Sequence, residues 1–360
     1  MKTYEIAEDI AKDLNLCEQG IEEMNKLLEE FPMRIPDYYY SLINFDDLDD
    51  PIMKMSIPTK MEWDPNGSFD TSGEMYNTKI SGLQHKYRQT AMILTTNQCA
   101  MYCRHCFRKR LVGLSSEEIA KHLDAIFSYI EEHKEVSNVL ISGGDAFMNS
   151  NETIERYLKR LTAIEHLDFI RFATRTPVTY PQRITNDPEL IELLREYNEK
   201  KPLMVVTQFN HPKEITEEAK AAIDALSEGN IPVKNQTVLL AGVNDDPDVL
   251  GDLLAKLTSI GVFPYYVFQC RPVTGVKSHF QVPIKRGLKI VEGAKKLQNG
   301  IGKSFRYCMS HPTGKIEILG QAPSGEMLFK YHEAKDPDKD NGRIFSQELS
   351  DSQAWLDEIS

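Results

Sequence analysis

The sequence predicts an α/β chain centred on a partial (β/α)6, TIM-like barrel, with an N-terminal helical region before it and a C-terminal β-hairpin after it. Three observations lead there. The 360 residues allow two or three units, or one large barrel with appendages. From residue 91, short apolar runs alternate with amphipathic stretches, six of each. Serial β/α units require right-handed crossovers and a parallel sheet, and six repeats instead of eight leave the barrel partial.

Residues 4–14 and 18–31 read as amphipathic helices, with Ile21, Met24, Leu27 and Leu28 at helical spacing. Residues 62–82 are rich in Gly, Ser, Asn and Asp and read as an irregular connector. The expected strands are 91–96, 138–142, 169–174, 203–208, 234–240 and 264–269. The expected helices are 115–132, 151–163, 187–199, 215–228, 246–259 and 284–298. Ser115 and Glu118 form a capping-box pattern at the first of these helices. After residue 305, KIEIL and GEMLFKY form the hairpin, and the polar tail from 336 is expected to pack loosely. The division is then 1–84, 85–304 and 305–360.

With 41% hydrophobic and 27% charged residues, the composition is that of a soluble globular protein. No apolar window is long enough to span a membrane, and the acidic, amphipathic N-terminus lacks a signal-peptide core. The net charge of −12 argues against a general nucleic-acid binder. Its distribution is uneven: residues 1–50 hold 14 acidic and 4 basic side chains, residues 331–360 hold 8 and 3, and the stretch between is slightly basic.

Six cysteines are too few for a disulfide scaffold, yet Cys99, Cys103 and Cys106 fall within eight residues. Their Cys-x3-Cys-x2-Cys spacing, after the first barrel strand, suits three irons of a [4Fe–4S] cubane with the fourth iron open for chemistry. The alternative is a zinc site completed by His105 or a distant cysteine, although no second ligand pair is evident. Either reading places the chain in a reducing cytoplasm. Gly143, Gly144 and Asp145 follow the second strand; such a turn is commonly structural, but beside a cluster loop it can let a ligand approach the backbone.

The cysteine motif resembles the signature of radical SAM enzymes. QCAMYCRHCFRKR, LISGGDAFM, TRTPVTYPQRI, QFNHPKEIT, NQTVLLAGVND and YYVFQC stand in the order found in the lysine 2,3-aminomutase family. MRIPDYYYSLI and GLQHKY upstream also resemble that family, and the likeness covers roughly residues 30–300. It implies a [4Fe–4S] cluster and S-adenosylmethionine (SAM), a 5′-deoxyadenosyl radical, and an electron donor such as flavodoxin or ferredoxin. A homo-oligomer is admitted by the likeness without being required. Asp145 would accept from the SAM ammonium group, and Arg175, Gln208 and His211 would border SAM, unless Arg175 merely caps its strand. The run Arg104, Arg108, Lys109, Arg110 is either a solvated charge run or a basic site wall. The likeness implies that Arg108, two residues after the third cysteine, binds a substrate carboxylate.

Two departures matter. Lysine 2,3-aminomutases hold pyridoxal phosphate on a lysine in a GGGGK-type loop, which lets nitrogen migrate through an imine. Spacing from Glu292-Gly293 puts Lys315 at that position. Pattern matching instead aligns YCMSHPTGKIEIL with the hairpin beyond the loop, so the loop is deleted and Lys315 merely opens a strand. His85, Lys86 and Tyr87 resemble the family's cofactor-side motif, with Thr90 where an arginine is expected. The second departure is Arg271, which replaces the acidic residue that pairs the lysine ε-ammonium. A guanidinium there repels lysine and suits an acidic side chain.

The sequence thus reads as a radical SAM enzyme rearranging a carboxylate-bearing small molecule other than lysine, as an aminomutase does. The alternatives are a pyridoxal-independent radical SAM enzyme performing hydrogen abstraction or elimination, and a non-catalytic Fe–S or zinc regulatory protein.

Overall fold

The computed structural model describes residues 1–357. Fourteen strands follow one another along them: β1 (Thr3–Tyr4), β2 (Ile35–Pro36), β3 (Thr78–Ile80), β4 (Leu83–Tyr87), β5 (Thr90–Thr96), β6 (Asn138–Gly143) and β7 (Phe169–Ala173). Then come β8 (Leu203–Thr207), β9 (Val233–Leu239), β10 (Phe263–Gln269), β11 (Arg306–His311), β12 (Gly314–Gln321), β13 (Met327–Ala334) and β14 (Ile344–Gln347). Strands β3 to β14 form one sheet whose spatial order is the chain order. Neighbours from β5 to β11 pair parallel, and the flanking strands pair antiparallel. The six expected strands are present, and β11 makes a seventh parallel one.

Helices between the parallel strands cover the outer face. In Asn151–Thr162, Ile154, Tyr157, Leu158 and Leu161 are buried, the i, i+3, i+4, i+7 stripe of an amphipathic helix. Caps are written locally. Asp187 accepts the Leu190 N–H, Thr216 that of Ala219, and Asp246 those of Asp248 and Val249. Pro188 and Pro247 occupy the first turns, where no amide N–H is missed.

The sheet curls around an interior cavity lined from both flanks, by Gln84 and Lys86 of β4 and by Lys315 and Glu333 of β12 and β13. No ladder joins β4 to β11 among the described residues. Instead Lys86 Nζ reaches across and donates to the His311 carbonyl at 2.6 Å. The expected junction at 84/85 falls within β4, and that at 304/305 lies between the helix Ile284–Lys296 and β11.

Three local expectations are corrected. The helix expected from 115 begins only at Leu123. Glu118 is drawn onto Arg110 at 2.8 Å and the Ala120 N–H bonds the Leu94 carbonyl, so the segment lies along β5 and the Ser115–Glu118 box does not form. The connector 62–82 contains short helical turns, strand β3 and two buried carboxylates, Glu62 and Glu74. The tail is docked: Leu349, Trp355 and Leu356 are buried, and Gln269 donates to the Ala354 carbonyl at 3.0 Å. Among the described residues, no helix is long and apolar enough to cross a membrane.

Candidate active site

The interior cavity measures about 690 Å³. Its wall collects sequence-distant groups from the C-terminal ends of neighbouring parallel strands: the cysteine loop after β5, Gly143-Gly144-Asp145 after β6, Arg175 after β7, Gln208 after β8 and Arg271 after β10. In barrels of this kind, that end carries the chemistry.

All three cysteines of the loop face this space and are free thiols. The N-terminal region holds the loop from behind. Backbone N–H groups of Tyr102 and Arg104 donate to the carbonyls of Arg34 and Met55, each at 2.9 Å. From the other side, Gly144 and Asp145 donate to Thr96 and Gln98 carbonyls at 2.6 and 2.8 Å. A Cβ at Gly143 or Gly144 would strike those same carbonyls, and Gly143 has φ +119°. Glycine there is what lets two backbones touch. Burial pushes the Cys99 and Cys106 thiols up, so their ionisation needs cationic partners. Bound iron would be such a partner. Among the described residues no three Cys, His, Asp or Glu side chains converge as ligands of one ion. A cubane instead takes one thiolate per iron, and three thiols on one loop meet that donor requirement.

Around the thiols the polar groups are fixed. Arg175 donates to Cys103 Sγ at 2.8 Å, to the Gln208 carbonyl at 2.9 Å and to Glu214. Glu214, fully buried, also accepts from Tyr39 and from the Asn210 and His211 backbone. Asp145 accepts from Thr174 Oγ1 and the Phe147 N–H on one oxygen, and from the Arg175 N–H on the other. Burial, the leading effect, raises its carboxyl above the ordinary range. His105 Nε2 lies 3.2 Å from both Gln208 and Asn210, and burial with Arg175 lowers its ring to about 3, a neutral imidazole. His211 does not line the cavity; its Nδ1 accepts the Lys213 N–H in a turn.

The basic run is not a solvated face. Arg104 donates to Glu62 at 2.5 and 2.9 Å, and Lys109 pairs the same carboxylate, all three side chains being buried. Arg110 is shared by Glu74 and Glu118. Arg108 lines the cavity, but its N–H groups are spent on Glu74, Ser142, the Gly143 carbonyl and Met92 Sδ. Sequence reasoning missed Glu62 and Glu74. They sit in a polar connector with no motif, and only folding brings them under the cysteine loop.

Arg271 is different. Its guanidinium stacks 4.1 Å from the Phe107 ring centroid and lines the cavity, with no hydrogen bond or ion pair among the described residues. Lys315 is the second residue of β12, and its side chain faces the cavity. There it meets Glu333 at 2.9 Å and the rings of Tyr266 and Tyr87 at 4.8 and 5.3 Å. Lys86 lines the same space.

Residues 93–253 match the family model of the radical SAM superfamily. The chain is 39% identical over 319 residues to the L-lysine 2,3-aminomutase of Acetoanaerobium sticklandii, covering 88% of this chain and 74% of that protein. It is 36% identical to the L-lysine 2,3-aminomutase of Clostridium subterminale, covering 93% and 78%. It is 37% identical to the glutamate 2,3-aminomutase of Clostridioides difficile, covering 87% and 73%.

Proposed function

The chain belongs to the lysine 2,3-aminomutase family of the radical SAM superfamily, and on that premise we propose that it moves the amino group of an acidic α-amino acid between adjacent carbons. Family membership makes it a radical SAM enzyme with a [4Fe–4S] cluster and SAM, which sets aside the non-catalytic reading. When bound, the cluster and SAM supply a 5′-deoxyadenosyl radical able to abstract an unactivated hydrogen.

In this reading Cys99, Cys103 and Cys106 hold the cluster. Gly143 and Gly144 keep the backbone close to it, while Asp145, Arg175 and Gln208 border SAM. Arg175 further orients Cys103 through its N–H···Sγ bond. The cluster assignment predicts that Cys103→Ala loses iron and sulfide, and with them the release of 5′-deoxyadenosine from SAM under dithionite. Full cleavage in that variant would refute it.

The substrate class rests on one observation, the unpaired guanidinium of Arg271 inside the cavity. Among the described residues no carboxylate contacts this buried guanidinium, although Glu74 and Asp70 lie in its field, and a ligand carboxylate would add two parallel hydrogen bonds to it. Arg108 could take a carboxylate only by giving up its bonds to Glu74, whereas Arg271 exchanges nothing. We therefore give the side-chain carboxylate to Arg271 and leave Arg108 as the contact nearest the α-carboxylate. Pyridoxal phosphate belongs to the same reading; it supplies a carbonyl to carry the migrating nitrogen, and two cavity lysines, Lys315 and Lys86, are present to hold it.

The test is turnover of glutamate, aspartate and lysine by the wild type and by Arg271→Asp. Glutamate or aspartate should be preferred by the wild type, and kcat/KM for it should fall by about 30-fold or more in the variant. Wild-type preference for lysine would sink the proposal.

A further inference from the structure

Strand β4 carries a polar side chain whose donor is left unused. Gln84 is buried, 4% exposed, and faces the interior cavity. Its Nε2 makes no hydrogen bond among the described residues. A buried amide donor without a partner carries a desolvation cost that an apolar side chain of similar length avoids. Asn77, at the end of the helical turn Glu74–Asn77, also lines the cavity, and its Oδ1 is an acceptor in the same condition. The two amides have therefore not paired with each other. Asn77 is instead anchored through Nδ2, which donates to the Gly73 carbonyl at 2.6 Å.

Strand register places Gln84 beside an arginine. It pairs with Met92 across the β4–β5 ladder, and directly opposed residues share one face of a sheet. Arg108 rests on that same methionine, Nη2 to Sδ at 3.2 Å, and all three side chains line the cavity. This stretch of wall has charge but few open donors on the arginine itself. The Arg108 N–H groups are already taken by Glu74, Ser142, the Gly143 carbonyl and Met92. The Gln84 amide carries two N–H bonds, so an anion drawn toward Arg108 meets its open donors on the glutamine.

We propose that Gln84 is a substrate-binding residue that donates to the α-carboxylate of the amino acid, beside Arg108. The guanidinium supplies the charge and keeps its bonds to the protein. The amide supplies hydrogen bonds without charge, and the substrate relieves the donor that folding leaves unmet. The inference rests on the amino-acid part of the proposed function. It is independent of the side chain that Arg271 selects, because every α-amino acid carries this carboxylate.

The experiment is Gln84→Met in the reconstituted holoenzyme, a change that keeps the side chain's length and removes its N–H groups. KM for the amino acid turned over should rise by about 10-fold or more, with kcat held within about twofold. Two readings separate binding from a structural role. The thermal midpoint of the ligand-free variant should be no lower than that of wild type, because an unmet donor has been removed. Inhibition by γ-aminobutyrate, which is glutamate without its α-carboxylate, should be unchanged. A KM change below about twofold, a thermal midpoint that falls, or an equal loss of affinity for γ-aminobutyrate overturns the inference. Preference for lysine would sink the acidic substrate class alone, and the same comparison is then made with lysine and cadaverine. If glutamate, aspartate and lysine all fail to bind the wild type, the inference falls together with the proposed function.

Discussion

Glu74 shows how much a single carboxylate can hold in this protein. It is buried beneath the cysteine loop, accepts from Arg108 at 3.2 Å and from Arg110 at 2.6 Å, and lies near Arg271. Burial alone would raise its pKa, but the arginines outweigh burial and hold it at about 2, against an ordinary 4.5. A depressed carboxylate contributes stability that is complete above pH 4.5 and lost as pH falls toward 2, about 3 kcal/mol in this case. In the cluster-free chain, the gap in unfolding free energy between wild type and Glu74→Gln should therefore be constant from pH 7 to 5 and close between 4.5 and 2. A gap independent of pH would contradict the ion-pair account. The sequence marked Arg108 and Arg110 as a basic run, but not their partner, because ion pairs across 34 and 36 residues leave no local pattern. The cysteines were legible for the converse reason. Their spacing is local, and the ligation proposed for them constrains it within one loop.

Elements were legible where their signals were local. The helix Pro247–Ser259 begins at the expected place because Asp246 and Pro247 together write its first turn. Asp246→Ala should cost about 0.5–2 kcal/mol, measured by urea unfolding, with an unchanged m value. The helix expected from residue 115 failed on tertiary grounds. Its cap pattern is a real local preference, but Arg110 takes Glu118 and β5 takes the Ala120 N–H. Those bonds outcompete a capping box worth about 1 kcal/mol. Strand β11 escaped notice because RYCMSH lacks clean alternation. Its strand state depends on pairing with β10 on one side and β12 on the other.

At the scale of the whole molecule, the sheet is a single object. Its parallel centre presents the cysteine loop and the Gly-Gly-Asp turn at one end, while the antiparallel flanks bring Lys86 and Lys315 to the same cavity. The tail closes part of this arrangement. Trp355 is buried beside the His311 ring, and Asp357 accepts from His311 at 2.6 Å. Trp355→Ala should cost about 3–5 kcal/mol of stability, read by denaturant unfolding. A loss under 0.5 kcal/mol would restore the loosely packed tail. By itself the sequence determined the fold class, the positions of six of the parallel strands and the close spacing of three thiols on the loop after the first. All three follow from periodicity and spacing over a few residues. The tertiary structure alone decided which charges are spent and which are free. Glu62 and Glu74 neutralise the basic run, Glu333 locks Lys315, and among the described residues Arg271 and Lys86 make no ion pair with a carboxylate. Coulomb energy depends on separation in space and on burial, and the chain sets neither until the sheet has curled.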